Sequence, residues 1–210
     1  AANHAASIRK LETYLEIAKG EINRLDYIIS QFLQAIRPTR PELKPVSLND
    51  VLLDTLTLLG PEIENREVTL SQHFAEELPN APLDELQVKQ ALVNLIKNAI
   101  QAMTQGGALT LTTIAETDGV WVYVADTGGG IPQEKINRIF QPYFTTKKEG
   151  SGLGLMIVQR IVREHGGRIE LESNTGQGTT FRLWFPLTEQ QPLRLPGGDT
   201  SQVSETNDHA

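Results

Sequence analysis

No cysteine occurs among the 210 residues. Disulfides, thiolate metal sites and cysteine nucleophiles are therefore excluded. No apolar run reaches about 18 residues, so no segment is long enough to cross a membrane as a helix. A secretory signal is missing as well, which gives a cytoplasmic location as the expectation. There is no initiator Met. The opening Ala1-Ala2-Asn3-His4-Ala5 reads as the middle of something longer, with any membrane anchor upstream. Cations are in deficit, 19 Lys and Arg against 26 Asp and Glu, a net charge of -7. That balance disfavours a nucleic-acid partner. Apolar residues make up 39%, enough for the core of one ordinary domain with a smaller piece attached.

Three regions follow from the patterning. In residues 1–44, apolar residues fall at Ile8, Leu11, Leu15, Ala18, Ile22, Leu25, Ile29, Phe32 and Ile36. The steps alternate three and four, which predicts one long coiled-coil-like helix with a narrow apolar seam. Such a seam needs a second helix or a second copy, so a homodimer through Ile8–Ile36 is expected. Pro38, Pro41 and Pro45 end the helix. Residues 45–188 mix helices and strands without regular βαβ alternation, which predicts an α+β sandwich. Ser47 caps a helix running to about Leu59, Val68–Phe74 is strand-like, and Pro79–Pro82 reads as a connection. Asp84 begins a strong helix carrying Val88, Leu92, Leu95, Ala99 and Met103, closed by Gly106-Gly107. Strands are expected at Ala108–Ala115, Val120–Asp126, Arg168–Ser173 and Thr179–Pro186, and a helix at Leu155–Glu164. At the end of that helix, a charged His165 would favour the C-terminal dipole. Residues 189–210, rich in Gln, Pro, Gly, Ser and Thr, read as a disordered tail.

Four groups of residues can carry chemistry. Asn94 and Asn98 are four apart and share a helix face. That face is either a solvated polar surface or a set of amide oxygens for a hydrated cation. Asp126-Thr127-Gly128-Gly129-Gly130 ends a strand. It is either a turn or a place where a flat ligand approaches the backbone beside a carboxylate. Gly150-Ser151-Gly152-Leu153-Gly154 stands directly before a helix. It is either a linker or a loop whose N–H groups favour phosphate oxygens. No Gly-Lys-Ser/Thr follows, so it is not a P-loop. Lys147 and Lys148 just upstream are either solvated or within reach of those phosphates. Gly176-Gln177-Gly178-Thr179-Thr180-Phe181, taken alone, is a hairpin turn.

Taken in order, these segments resemble the GHKL ATP-binding family, named for gyrase, heat-shock chaperones, histidine kinases and mismatch-repair proteins. Within it they are similar to the sensor histidine kinases. Asn94–Ala99 resembles the N box and Asp126–Gly130 the first glycine box. Ile139-Phe140-Gln141-Pro142-Tyr143-Phe144 resembles the F box, Gly150–Leu155 the second glycine box and Gly176–Phe181 a third. The resemblance covers about Pro45 to Leu187. It implies a two-layer α/β sandwich of the GHKL (Bergerat) type with a mixed sheet, and ATP and Mg²⁺ as ligands. Asn98 would be the metal ligand and Asp126 would hold the adenine amino group. Gly128 and Gly130 would shape the adenine pocket, and Gly152 and Gly154 would contact the phosphates. Asn94, Thr146, Lys147, Gly150, Leu153 and Thr180 complete the expected ATP-binding set. The lid between the F box and Gly150 must be short.

The ATP-hydrolysing members carry a Glu four residues before the metal-binding Asn. Here Asn94 stands there, and a neutral amide cannot take a proton from water at neutral pH. The site therefore suits holding ATP until a protein nucleophile arrives. In the kinases that nucleophile is a His followed by an acidic residue, in the first helix of a dimerising hairpin. None of His4, His73, His165 and His209 has that setting. Ile8–Ile36 resembles the second hairpin helix. The expected activity is transfer of the γ-phosphoryl of ATP to a His outside this sequence, in partnership with a response regulator receiver domain; the alternatives are a GHKL-type ATPase and a non-enzymatic nucleotide-binding dimerisation module.

Overall fold

The structure is a computed structural model that describes residues 40–145 and 150–188, with residues 14–16, 18–20 and 22 helical ahead of them. The elements are β1 (Lys44–Val46), α1 (Leu48–Asn65), β2 (Val68–His73), β3 (Ala81–Leu83), α2 (Glu85–Ala102), β4 (Gly107–Ala115) and β5 (Gly119–Asp126). They continue with α3 (Gln133–Ile136), α4 (Gly154–Glu164), β6 (Arg168–Asn174) and β7 (Gly178–Pro186). Five strands form one mixed sheet in the order β2-β4-β5-β7-β6. The β2–β4 pair is parallel and the other pairs are antiparallel. As the resemblance implies, this is an α+β sandwich.

Strand alternation decides which residues meet the helices. Val120, Val122 and Val124 of β5 lie opposite Phe185, Leu183 and Phe181 of β7, and all six are buried. They pack with Leu109 and Leu111 of β4 against Leu92, Leu95, Ile96 and Ile100 of α2 and Ile157, Val158, Ile161 and Val162 of α4. The other sheet face carries its own row. Arg168 lies over the rings of Trp184 (4.3 Å) and Trp121 (4.9 Å). Arg182 binds Glu172 at 2.6 Å. Guanidinium stacking of this kind covers the aromatic rings on this face of the sheet.

Local structure departs from the sequence expectation in three places. α1 continues past Leu59, through Gly60-Pro61, to Asn65. A helix-interior proline costs about 3 kcal/mol, but burial of Leu59 and Ile63 at roughly 1.5–3 kcal/mol each offsets it. The Pro79–Pro82 connection contains β3, which pairs antiparallel with β1. Pro82 sits in a two-stranded ribbon, where an edge proline sacrifices no ladder bond in a larger sheet. The segment between Gly130 and the F box, for which the patterning predicts no element, holds the single turn α3.

His165 overturns the expectation of a charged helix end. The residue is 4% exposed and both ring nitrogens are engaged. Nδ1 lies 2.7 Å from the Ile161 carbonyl, and the Asp84 N–H donates to Nε2 at 2.9 Å. The ring is thus the neutral tautomer with its proton on Nδ1. Burial lowers its pKa below the ordinary 6.5, outweighing the Ile161 bond and the Asp84 charge, which raise it. The unfolded chain binds this proton more readily than the folded one. Stability should therefore be unaffected by this ring above about pH 6.5, then fall as pH drops from there towards the folded-state pKa. His165→Gln should flatten that part of a urea-unfolding series taken from pH 7.5 to 5. Equal acid sensitivity in both proteins would show that other groups are responsible.

Candidate nucleotide site

The site is organised along α2. Asp84 caps this helix, accepting the Gln87 N–H on Oδ1 at 3.1 Å. Its second carboxylate oxygen accepts the Glu42 N–H at 3.0 Å. Asn94, Asn98 and Ala102 follow one another at spacings of four, so they lie along one stripe, each about 6 Å beyond the last. A Cβ built on Gly154, at the start of α4, would lie 3.7 Å from the Asn94 amide. A Cβ on Gly128 would lie 2.8 Å from the Ala102 carbonyl oxygen and from Asp126 Oδ1. Hence the second glycine box stands at one end of the stripe, the first at the other, and Asn98 between them.

The first glycine box is tied down on three sides. Thr127 exchanges bonds with Ala108 at the start of β4: its hydroxyl accepts the Ala108 N–H at 2.9 Å and its N–H reaches the Ala108 carbonyl at 3.1 Å. Asp126 Oδ1 accepts the Gly128 N–H at 2.8 Å. The Gly129 N–H points to the Ala102 carbonyl (3.4 Å), and the Gly129 carbonyl accepts the Gly176 N–H (2.8 Å). Gly130 has φ +68° and leaves no room for a Cβ against the Asn174 carbonyl. The Gly176–Phe181 segment, a plain hairpin turn when read alone, is therefore a wall of the same site. Gly178 has φ +94° and presses against the carbonyl oxygen of Asp126.

At the other end Gly152, with φ +68°, fits against the backbone of Tyr143 and Phe144. Tyr143 itself adopts φ +62°. The F-box turn is held by the Gln141 N–H to the Arg138 carbonyl (2.9 Å) and the Phe144 N–H to the Gln141 carbonyl (3.2 Å). Arg138 stacks on the Phe144 ring at 4.6 Å. Leu153 is buried in the core, so its side chain anchors the loop and only its backbone can face a ligand. The α4 N-terminus starts one residue later, at Gly154, where the first N–H groups have no partner within the helix and carry a partial positive charge.

One expected residue is displaced. β5 and β7 pair Asp126 with Thr179 and Ala125 with Thr180. Thr179 therefore shares a sheet face with Asp126, and Thr180 lies on the opposite face with Tyr123 and Arg182. The period-two alternation of Phe181, Leu183 and Phe185 already carried that signal. Ala102 and Ser173, both in contact with the glycine boxes, carried none. Thr146, Lys147 and Lys148 lie outside the described residues, as do His4, His209 and most of the Ile8–Ile36 seam. Gly150 is half-buried at the edge of the site.

The arrangement places a carboxylate and a glycine-lined wall at one end, N–H donors at the other and an amide between. Asn94 Nδ2 is buried without a hydrogen-bond partner, beside Gly154. A buried unpaired donor is costly, and an anionic oxygen at that loop would satisfy it. Residues 83–189, half of the chain, match the family of histidine kinase-, DNA gyrase B- and HSP90-like ATPases. The chain belongs to this family. Within this ATPase family, it is 38% identical over 179 residues to the sensor histidine kinase ZraS of Escherichia coli (strain K12). It is 37% identical over 177 residues to sporulation kinase C of Bacillus subtilis (strain 168). The matches cover 84% and 83% of this chain but 38% and 41% of those proteins, so the chain spans about two-fifths of their length. Among solved structures, the nucleotide-free catalytic domain of histidine kinase ThkA is 33% identical with a TM-score of 0.65, covering 70% of this chain and 97% of that one. Full-length ShkA in complex with AMPPNP is 27% identical with a TM-score of 0.74, covering 87% of this chain and 40% of that one. ThkA in complex with the response regulator protein TrrA is 30% identical with a TM-score of 0.72, covering 85% and 52%. The family domain is an ATP-binding domain.

Proposed function

We propose that this chain is the catalytic ATP-binding part of a two-component sensor histidine kinase. It transfers the γ-phosphoryl group of ATP to a histidine that this sequence does not hold in the required setting. The observation that carries the proposal is the stripe Asn94–Asn98–Ala102, with the two glycine boxes at its ends. Asp126 accepts a hydrogen bond from the adenine amino group, with Gly128 and Gly130 forming the wall beneath the ring. Gly150, Gly152 and Gly154, with the backbone of Leu153 and the flanking Thr146 and Lys147, hold the phosphates. Asn98 offers an amide oxygen to Mg²⁺, and Asn94 donates to a phosphate oxygen. Among the described residues no group of three or more His, Cys, Asp or Glu side chains could hold a metal ion. A single amide ligand fits Mg²⁺, which keeps waters and substrate phosphates in its shell. When bound, the ion neutralises phosphate charge as the phosphoryl group is transferred.

No carboxylate stands at position 94 to take a proton from water, so bound ATP persists until an acceptor side chain arrives. The working unit is a cytoplasmic homodimer through Ile8–Ile36, with residues 45–188 as the ATP-binding domain, and it acts on a response regulator receiver domain. ThkA supports the last point, since it has been solved with a response regulator. Tyr14, Leu15 and Ile22 are 57%, 61% and 65% exposed, and a second helix would cover them.

Incubation with γ-labelled ATP tests the proposal. The chain alone should acquire no acid-labile label. Addition of a separate peptide carrying a histidine-kinase acceptor helix should give label on the peptide's His, lost in Asn98→Ala. Steady release of inorganic phosphate without any acceptor would identify an ATPase and overturn the reading.

A further inference from the structure

Ser173 lies at the end of β6, 5% exposed, and its hydroxyl is shared among three elements. It accepts the Ile131 N–H at 2.8 Å, lies 3.0 Å from the Gly178 carbonyl and 2.9 Å from Thr179 Oγ1. A serine hydroxyl has one proton and two lone pairs. The Gly178 carbonyl can only accept, so it takes the Ser173 proton. The Ile131 N–H fills one lone pair, and only the second remains for Thr179. The Thr179 hydroxyl must then donate to Ser173, leaving Thr179 Oγ1 with nothing but lone pairs to present elsewhere.

Thr179 is the direct cross-strand partner of Asp126 on the same sheet face, where paired Cβ atoms lie about 5 Å apart. The Asp126 carboxylate is also acceptor-only. We infer that Ser173 is a specificity-determining positioning residue: it locks the Thr179 hydroxyl as an acceptor, so that the pocket beside Asp126 selects purines with a 6-amino group over those with a 6-oxo group. A 6-amine brings two protons to this pair of acceptors, directly or through water. A 6-oxo group puts a third acceptor at that point, the purine's proton lying on the neighbouring N1 instead. The Gln133 side chain, which donates to the Ser173 carbonyl at 3.1 Å, and the Ile131 bond hold the loop after the first glycine box in the same grip.

This inference rests on the reading of the site as an adenine pocket, and the test separates the two. ADP and inosine diphosphate are titrated into the full chain and into Ser173→Ala, Ser173→Thr and Thr179→Val, with thermal unfolding of each run in parallel. The wild type should prefer ADP by about 100-fold. In Ser173→Ala the Thr179 proton is free to turn towards a 6-oxo group, and the preference should shrink by about tenfold or more. Ser173→Thr, which keeps the hydroxyl, should restore it. Thr179→Val should also narrow the preference, and it stands in as the test if Ser173→Ala does not fold. An equal loss of affinity for both nucleotides would reveal a merely structural serine and overturn the inference, as would an unchanged preference in Thr179→Val. A wild type that binds neither nucleotide would instead remove the adenine-pocket reading itself.

Discussion

Asp126→Asn should weaken ADP binding roughly 30- to 150-fold while leaving the domain folded. A carboxylate has two oxygens. Oδ1 already holds the Gly128 N–H at 2.8 Å, and that bond closes the turn of the first glycine box. An asparagine has one oxygen and one NH₂. If its oxygen stays with Gly128, the NH₂ meets the adenine amine donor to donor. If the side chain flips, the glycine bond is lost instead. Either way a hydrogen bond to a charged group disappears, worth roughly 2–3 kcal/mol. Isothermal titration with ADP measures this directly. An affinity within threefold of the wild type, in a protein that melts normally, would move the adenine end of the site away from Asp126. Asn98→Ala offers a contrast, because its loss should appear mainly with ATP in the presence of Mg²⁺.

Gly178→Ala should destabilise the domain by about 3 kcal/mol or more, out of the 5–15 kcal/mol typical of a whole domain. The added methyl would run into the carbonyl oxygen of Asp126, and the residue holds φ +94°. Both partners are backbone in the β5–β7 ladder, so no side chain can swing aside. Gly176 provides the control. It has φ +79°, but nothing lies within 4 Å of where its Cβ would be, so Gly176→Ala should cost only about 1 kcal/mol of conformational strain. Urea-unfolding midpoints of the two variants separate contact from strain. If the two fall together, the close approach of Gly178 to Asp126 does not hold in solution.

These two sites also show what a sequence can and cannot reveal. Asp126, Asn98 and the glycines of the first two boxes stand out because their residue types are unusual for their settings: a carboxylate ending a buried strand, amides one turn apart, glycines before a helix. Helix α2 and strands β5 and β7 are legible from their apolar patterning, since α2 buries one face and the two strands are largely buried. The role of Gly178 was hidden. The turn carrying it looks like any hairpin turn until the register sets it against Asp126, and that register is a long-range fact. The expectation for Thr180 meets the same register: Thr180 lies on the sheet face opposite Asp126, because a single step along a strand reverses the face. Ser173 was silent because one hydroxyl gives no pattern. The continuation of α1 through Pro61 was missed because a local rule was applied where burial of Ile63 outweighs it.

The register that joins Asp126 to Thr179 also divides the site by chain segment. Everything up to the F box, including Asn94, Asn98 and Asp126, comes from residues before Thr145. The second glycine box, α4, Ser173, Gly178 and Thr179 all come from Gly150 onward. The halves are joined covalently only through residues 146–149, yet they share the β5–β7 ladder and the packing of α2 on α4. A chain split within those four residues should therefore reassemble from its two fragments. Neither fragment alone would have a place for a nucleotide, so ATP itself should hold the pieces together.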